Sequence, residues 1–289
     1  MNLLPKITYT LTILTILMGC SKEYSYENPL TGNNGITIGQ NCVVNKIIEY
    51  DTISRKGASA YNYSFNTTAS NVLNITRYDS ITQNTLLTHN PQYIGDTIRY
   101  SSNSYAVLDA TKRLIKYVGI EEPFNSLSAT FVYTYAYNAT TGMLTTKTKA
   151  NPLIPNFIQE LTTYSYTGNN LTKIECKIPL LNTALYTYEL VYNTSKSPKN
   201  YISILPDCEE LLPYIAVLNV GITSTNVVTQ VTTKAYDPLT SSLLTTDVAN
   251  YSNYTYSNDN YVLSVDAAGV QVPALPLYNG RNKFTYYCK

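Results

Sequence analysis

The 289-residue chain has no tryptophan and a single histidine, His89. Only 13% of its residues are charged, and 20 Lys+Arg against 19 Asp+Glu leave a formal net charge of +1. Each scarcity excludes something. One histidine cannot build a His-rich metal centre, and any Ser-His-Asp or Cys-His relay must use His89 or not exist. His89 stands in Thr88-His89-Asn90-Pro91, a turn-like setting that suits a solvated polar residue. The balanced charge supplies no basic surface for nucleic acid. There is no Gly-rich phosphate loop, and no cofactor is expected. The apolar run at the N-terminus, Ile7 to Leu17, is too short to cross ~30 Å of hydrocarbon as a helix.

That run has another use. Lys6 and the free amine precede it, and Leu17-Met18-Gly19-Cys20 closes it. This is the pattern of a secretory leader ending in a lipidation box. A small residue before the cysteine admits the peptidase, and the Cys20 thiol can be diacylated. Two or three acyl chains hold a protein on a bilayer where one does so only marginally. Residues 1–19 therefore read as a signal peptide and Cys20 as the anchor. Residues 20–40 are polar, with Thr31-Gly32-Asn33-Asn34-Gly35 near the centre, and read as a disordered tether. Residues 41–289 hold no Pro/Gly/Ser-rich break and read as one domain.

Within that domain the dominant period is two. Tyr61, Tyr63 and Phe65 alternate, a polar turn follows, and Val72, Leu73 and Ile75 return. Phe131, Tyr133, Tyr135 and Tyr137 alternate into Asn138–Gly142, and Met143-Leu144 returns. Tyr164 and Tyr166 lead to Gly168-Asn169, then Leu171 to Ile174; Tyr251, Tyr254 and Tyr256 lead to Asn258-Asp259-Asn260, then Tyr261 to Val265. An aromatic strand, a Gly/Asn turn and an aliphatic strand make a hairpin. The pattern predicts an all-β fold: a large antiparallel meander of successive hairpins, as a curved sheet or a partly open barrel. Pro206-Asp207-Cys208-Glu209-Glu210-Leu211-Leu212 breaks the period, with an N-cap at Asp207 and acids in the first turn, and predicts one short helix near 207–213.

The recurring Tyr-x-Tyr, turn, Gly or Asn, Leu unit resembles YD repeats. It stands here as Tyr133-Thr134-Tyr135-Ala136-Tyr137 … Gly142-Met143-Leu144 and as Tyr164-Ser165-Tyr166 … Asn170-Leu171. With the lipidation box, the mature chain is similar to YD-repeat-like cell-envelope lipoproteins of the Bacteroidota. The resemblance implies a large antiparallel sheet and an envelope location, and it implies no catalytic residues.

Without Cys20, four cysteines remain: Cys42, Cys176, Cys208 and Cys288. An even number in an exported chain points to two disulfides with three possible pairings. Sequence order favours Cys42–Cys288, joining first strand to last, and Cys176–Cys208, flanking one hairpin unit. Carboxylates for glycoside hydrolysis would come from Glu121, Glu122, Glu160, Glu175, Glu189, Glu209 and Glu210, which are scattered or adjacent. Three Asp-Ser/Thr-aliphatic triplets resemble Bacteroidota O-glycosylation acceptors and make Thr52, Ser80 and Thr97 candidates. Ser21-Lys22-Glu23 after the anchor resembles a surface-export signal, so the outer face of the outer membrane is favoured. The expected role is non-enzymatic: a lipid-anchored structural or ligand-binding envelope protein with a glycan or protein partner. The alternatives are a glycan hydrolase and a carrier of a hydrophobic molecule.

Overall fold

A computed structural model describes residues 42–50, 57–65, 71–79, 84–121, 129–154, 157–199, 211, 214, 218–221, 224–270 and 279–287. These residues form seventeen strands in a single sheet. In chain order they are β1 (Val43–Tyr50), β2 (Gly57–Phe65), β3 (Val72–Asp79), β4 (Thr85–His89), β5 (Gln92–Ile94), β6 (Thr97–Arg99), β7 (Tyr105–Leu108), β8 (Leu114–Glu121) and β9 (Ala129–Tyr137). Then come β10 (Leu144–Ala150), β11 (Ile158–Thr167), β12 (Asn170–Ile178), β13 (Thr183–Asn193), β14 (Val227–Tyr236), β15 (Leu243–Tyr256), β16 (Val262–Ala268) and β17 (Gly280–Tyr287). The segments read as leader and tether, with Cys20, lie outside the described residues. So does the segment read as a short helix, apart from Leu211, which is fully buried.

The meander expected from the hairpin pattern is present, and every paired strand is antiparallel to its neighbour. The first strand also pairs with the last, Val43 opposite Tyr287 and Ile47 opposite Phe284. Pairing therefore runs from β5 up to β17, on to β1, and ends at β4. The sheet's two edges are not the chain termini but β4 and β5, consecutive strands separated only by Asn90-Pro91. The sheet is not closed into a barrel. An even number of antiparallel steps separates the two edges, so β4 and β5 point the same way. They act as one strand broken in the middle, its first half bonded to β3 and its second half to β6. Proline suits that break, because it has no N–H to give to a ladder and holds the preceding residue extended.

Alternation decides what is buried. On β9, Phe131, Tyr133 and Tyr135 are buried while Thr134 and Ala136 face solvent. The same inner face collects Ile47, Tyr61, Tyr63, Ile75, Leu144, Tyr164, Ile174, Tyr188, Tyr251, Val265 and Phe284 in one core.

The hairpins are tied by a repeated side-chain bond. A tyrosine near the end of one strand donates its hydroxyl hydrogen to the carbonyl of the aliphatic residue that opens the returning strand of the unit before. Tyr137 reaches Leu114 O at 2.5 Å, Tyr166 reaches Leu144 O at 2.8 Å and Tyr192 reaches Leu171 O at 2.6 Å. Tyr254 reaches Val228 O at 2.7 Å and Tyr286 reaches Val262 O at 2.6 Å. The five aliphatic partners are buried. Burial of their carbonyls calls for a bonding partner, and the tyrosine meets that need while adding ring area to the core. Phe65, at the corresponding end of β2, has no hydroxyl and stacks on Tyr287 instead, with ring centroids 5.9 Å apart.

The connection from β13 to β14 is long and crosses the sheet. Tyr214 packs on Tyr100 and Tyr117. Asn219 O accepts from the Leu114 amide at 2.8 Å, and Ser224 bridges to Asn170. Gly221 lies where a Cβ would come within 2.7 Å of the Tyr137 ring and 2.8 Å of Gly142 O, so only glycine allows the strap this close.

Candidate functional site

The break between β4 and β5 gathers the chain's only histidine and four tyrosines. The ring of Tyr214 stacks on Tyr100 with centroids 3.7 Å apart, and its hydroxyl lies 3.0 Å from His89 Nδ1. His89 belongs to β4, Tyr100 follows β6, and Tyr117 belongs to β8, so one strap residue spans the break. A second tie lies beside it: the Val72 amide of β3 donates to the Tyr93 hydroxyl of β5 at 2.9 Å. Burial holds the pKa of His89 below its ordinary value. Burial pushes Tyr100 and Tyr214 above the ordinary phenol value, and neighbouring tyrosines add to the rise. The Tyr100 hydroxyl is buried without a hydrogen-bond partner.

A second cluster lies on the inner face at the other end of β10 to β12. Lys147, only 4% exposed, and Lys149 stand over aromatic faces, Lys147 5.7 Å from the Tyr133 ring and Lys149 4.6 Å from the Phe131 ring. Glu160 Oε1 lies 3.4 Å from Lys149 Nζ, and the Cys176 Sγ lies 3.9 Å from Glu160 Oε2. The register explains the grouping, since β10 and β11 place Lys149 opposite Glu160 and β11 and β12 place Thr162 opposite Cys176. The cluster joins a thiol, a carboxylate and ammonium groups. The histidine that a Cys-His relay requires is on β4, held by Tyr214.

The remaining carboxylates are dispersed. Glu175 and Glu189 project from the opposite face of the sheet to Glu160. There Glu175 accepts from Lys173 at 2.7 Å and pairs with Lys177, and Glu189 pairs with Lys234 at 3.0 Å. The hydrogen bond from Lys173, followed by that from Lys177, holds Glu175 below the usual carboxylate range. Carboxylates on opposite faces cannot flank one glycosidic bond. The side chain of Glu121, and Glu122, Glu209 and Glu210 entirely, lie outside the described residues. Among the described residues, no three His, Cys, Asp or Glu gather as metal ligands.

The cysteine expectations divide. Cys176 carries a buried thiol and is not half of a disulfide, so the expected Cys176–Cys208 bridge is not formed. Its side chain points to the inner face toward Glu160, which sequence order could not reveal. Cys42 is fully buried and disulfide-bonded. Cys208 and Cys288 lie outside the described residues, as do Thr52 and Ser80. Thr97 opens β6 as a half-buried strand residue, next to Asp96, which pairs with Lys112 at 2.7 Å.

No family model matches this chain, and neither does any curated protein. Solved structures do resemble it. A porin-like protein from Bacteroides uniformis matches with a TM-score of 0.51 and 14% identity, over 84% of this chain and 96% of that one. A porin-like protein from Bacteroides vulgatus matches with a TM-score of 0.50 and 9% identity, over 86% and 99%. The Tc holotoxin pore of Photorhabdus luminescens aligns at a TM-score of 0.30 over 11% of its own chain, too low to bear on this protein. At these identities the likeness is one of fold.

The clasp residues Tyr93, Tyr100 and Tyr214 were not visible as a group in the sequence. The only trace is Leu211, Tyr214 and Leu218, apolar at steps of three and four, in the segment where the period-two pattern stops.

Proposed function

We propose that this chain is a non-enzymatic, lipid-anchored protein of the outer membrane that presents a rigid antiparallel sheet to a glycan or protein partner. The observation that carries the reading is the Leu17-Met18-Gly19-Cys20 box followed by a polar tether and a single sheet. The use of polar groups within the sheet supports it. His89 is bonded to Tyr214, and Glu160, Glu175 and Glu189 each have a lysine partner. The fold likeness to porin-like proteins of Bacteroides accords with an envelope setting. Ser21-Lys22-Glu23 favours the outer face.

The test begins at the anchor. Cys20→Ala abolishes incorporation of a clickable fatty acid and releases the protein from the membrane fraction; unchanged labelling of the variant overturns the anchor. Protease shaving of intact cells then removes the domain if it faces outward. Survival until the outer membrane is opened places it on the periplasmic side. A glycan array probed with the shaved domain reports the partner class.

A further inference from the structure

The two ends of the strands differ in what their turns expose. At the end where the tyrosine bonds lie, the turns are polar: Asp109–Arg113, Asn138–Met143, Gly168-Asn169 and Ser257–Asn260. At the opposite end, three consecutive hairpins repeat one motif, a proline followed by an exposed leucine. They are Pro152-Leu153 between β10 and β11, Pro179-Leu180 between β12 and β13, and Pro238-Leu239 between β14 and β15. The leucines are 86%, 75% and 81% exposed. Ile154, Ile158, Leu181, Leu243 and Leu244 beside them are exposed as well.

Isolated exposed leucines are ordinary on a protein surface. Recurrence at one position of three successive turns is not. Proline fixes the turn and holds the next side chain outward, where it makes no contribution to the core. Neighbouring strands are about 4.8 Å apart, so the three tips follow each other at about 10 Å. Thr183 Oγ1 donates to Pro238 O at 2.9 Å and holds the second tip against the third. Among the described turns at this end, Ser101–Ser104 between β6 and β7 is polar, and the three Pro-Leu tips form one arc over β10–β15.

We infer that this arc inserts into the interfacial layer of a lipid bilayer. Separate aliphatic points on tied hairpins can each enter the headgroup–acyl boundary. A protein partner would need a pocket for each. Just below the second tip, Lys177 and Lys173 share the single carboxylate of Glu175, which leaves one net positive charge near headgroup level. The chain's own tether permits the contact. Cys42 and β1 begin at the polar-turn end, since Val43 pairs with Tyr287. The stretch from Cys20 to Cys42 reaches up to about 70 Å when extended. The longest strand, β15 with 14 residues, spans about 46 Å. The tips and a lipidated Cys20 can thus share one bilayer. The inference goes beyond the anchor reading and is tested without it.

The absence of tryptophan makes the test direct. Leu180→Trp and Leu239→Trp each place a single reporter at a tip, and Thr140→Trp places one at an exposed turn of the other end. All three are made in Cys20→Ala protein, which carries no acyl chain. They are mixed with excess phosphatidylethanolamine–phosphatidylglycerol vesicles brominated along the acyl chains, with circular dichroism confirming the fold. We expect blue-shifted emission and at least a twofold loss of intensity for the two tip variants, and neither change for Thr140→Trp. Tip emission quenched no more than that of Thr140→Trp overturns the inference, whatever the fate of the anchor. A protein partner in place of lipid gives that same unquenched result.

Discussion

A single atom separates tyrosine from phenylalanine, and in this sheet that atom is placed with purpose. The ladder of hydroxyls at Tyr137, Tyr166, Tyr192, Tyr254 and Tyr286 satisfies carbonyls whose own residues are buried. Tyr166→Phe keeps the ring and leaves the Leu144 carbonyl without that bond, which costs about 1–2 kcal/mol; urea unfolding with an unchanged m-value measures it, and a loss near zero shows that water replaces the bond. The same burial sets an alkaline limit. Tyr192 and Tyr256 are pushed up to about 12 by desolvation, against an ordinary value near 10. Because the folded values are raised, their contribution is whole below about pH 10 and is lost as pH rises toward 12. Tyrosinate absorbance and the β signal in circular dichroism should therefore change together within that window. Smooth titration near pH 10 with the sheet intact contradicts this.

The unit of construction at the scale of elements is a hairpin whose turn follows a common plan. An Asp or Asn accepts amide hydrogens from residues further along the turn: Asp109 from Thr111 and Arg113, Asn138 from Thr140 and Thr141, and Asp237 from Leu239 and Thr240. Each turn then passes through a residue with positive φ: Lys112 (63°), Gly142 (70°) and Ser241 (59°). Glycine is suited to that conformation and the other two are not. Gly142→Ala should destabilise by about 1 kcal/mol. Lys112→Gly should stabilise by about 0.5–1 kcal/mol, since the exposed Lys112–Asp96 pair it removes contributes little. Thermal melts of the two variants should move in opposite directions; shifts of the same sign refute the account. The turn residues and the alternating aromatics were legible because both are local. Lys112 and Ser241 were not, because nothing in their side chains announces a left-handed backbone.

The first and last strands meet at the scale of the molecule, where β17 lies against β1. Continuing their register one residue beyond the Val43–Tyr287 pair would set Cys288 against Cys42. Non-reducing peptide mapping should return a Cys42–Cys288 peptide and an alkylatable Cys176. Reduction should lower stability by about 2–4 kcal/mol. A Cys42–Cys208 peptide rejects the pairing. The seam of the sheet consequently lies far from the termini, at Asn90-Pro91, where side chains of Tyr93 and Tyr214 replace the missing backbone ladder.

Strand type, hairpin order and the polar turns were all determined by the sequence alone, because each rests on neighbours within about ten residues. The partner of Cys176, the role of His89 and the position of the open edge were not. His89 lies 125 residues from Tyr214, and Asn45 lies 240 residues from Thr285 on the neighbouring strand. The period-two pattern says which face of a strand is buried but not which strand closes the sheet. Only the summed twist and register of seventeen strands bring β17 to β1 and leave β4 and β5 as the edges.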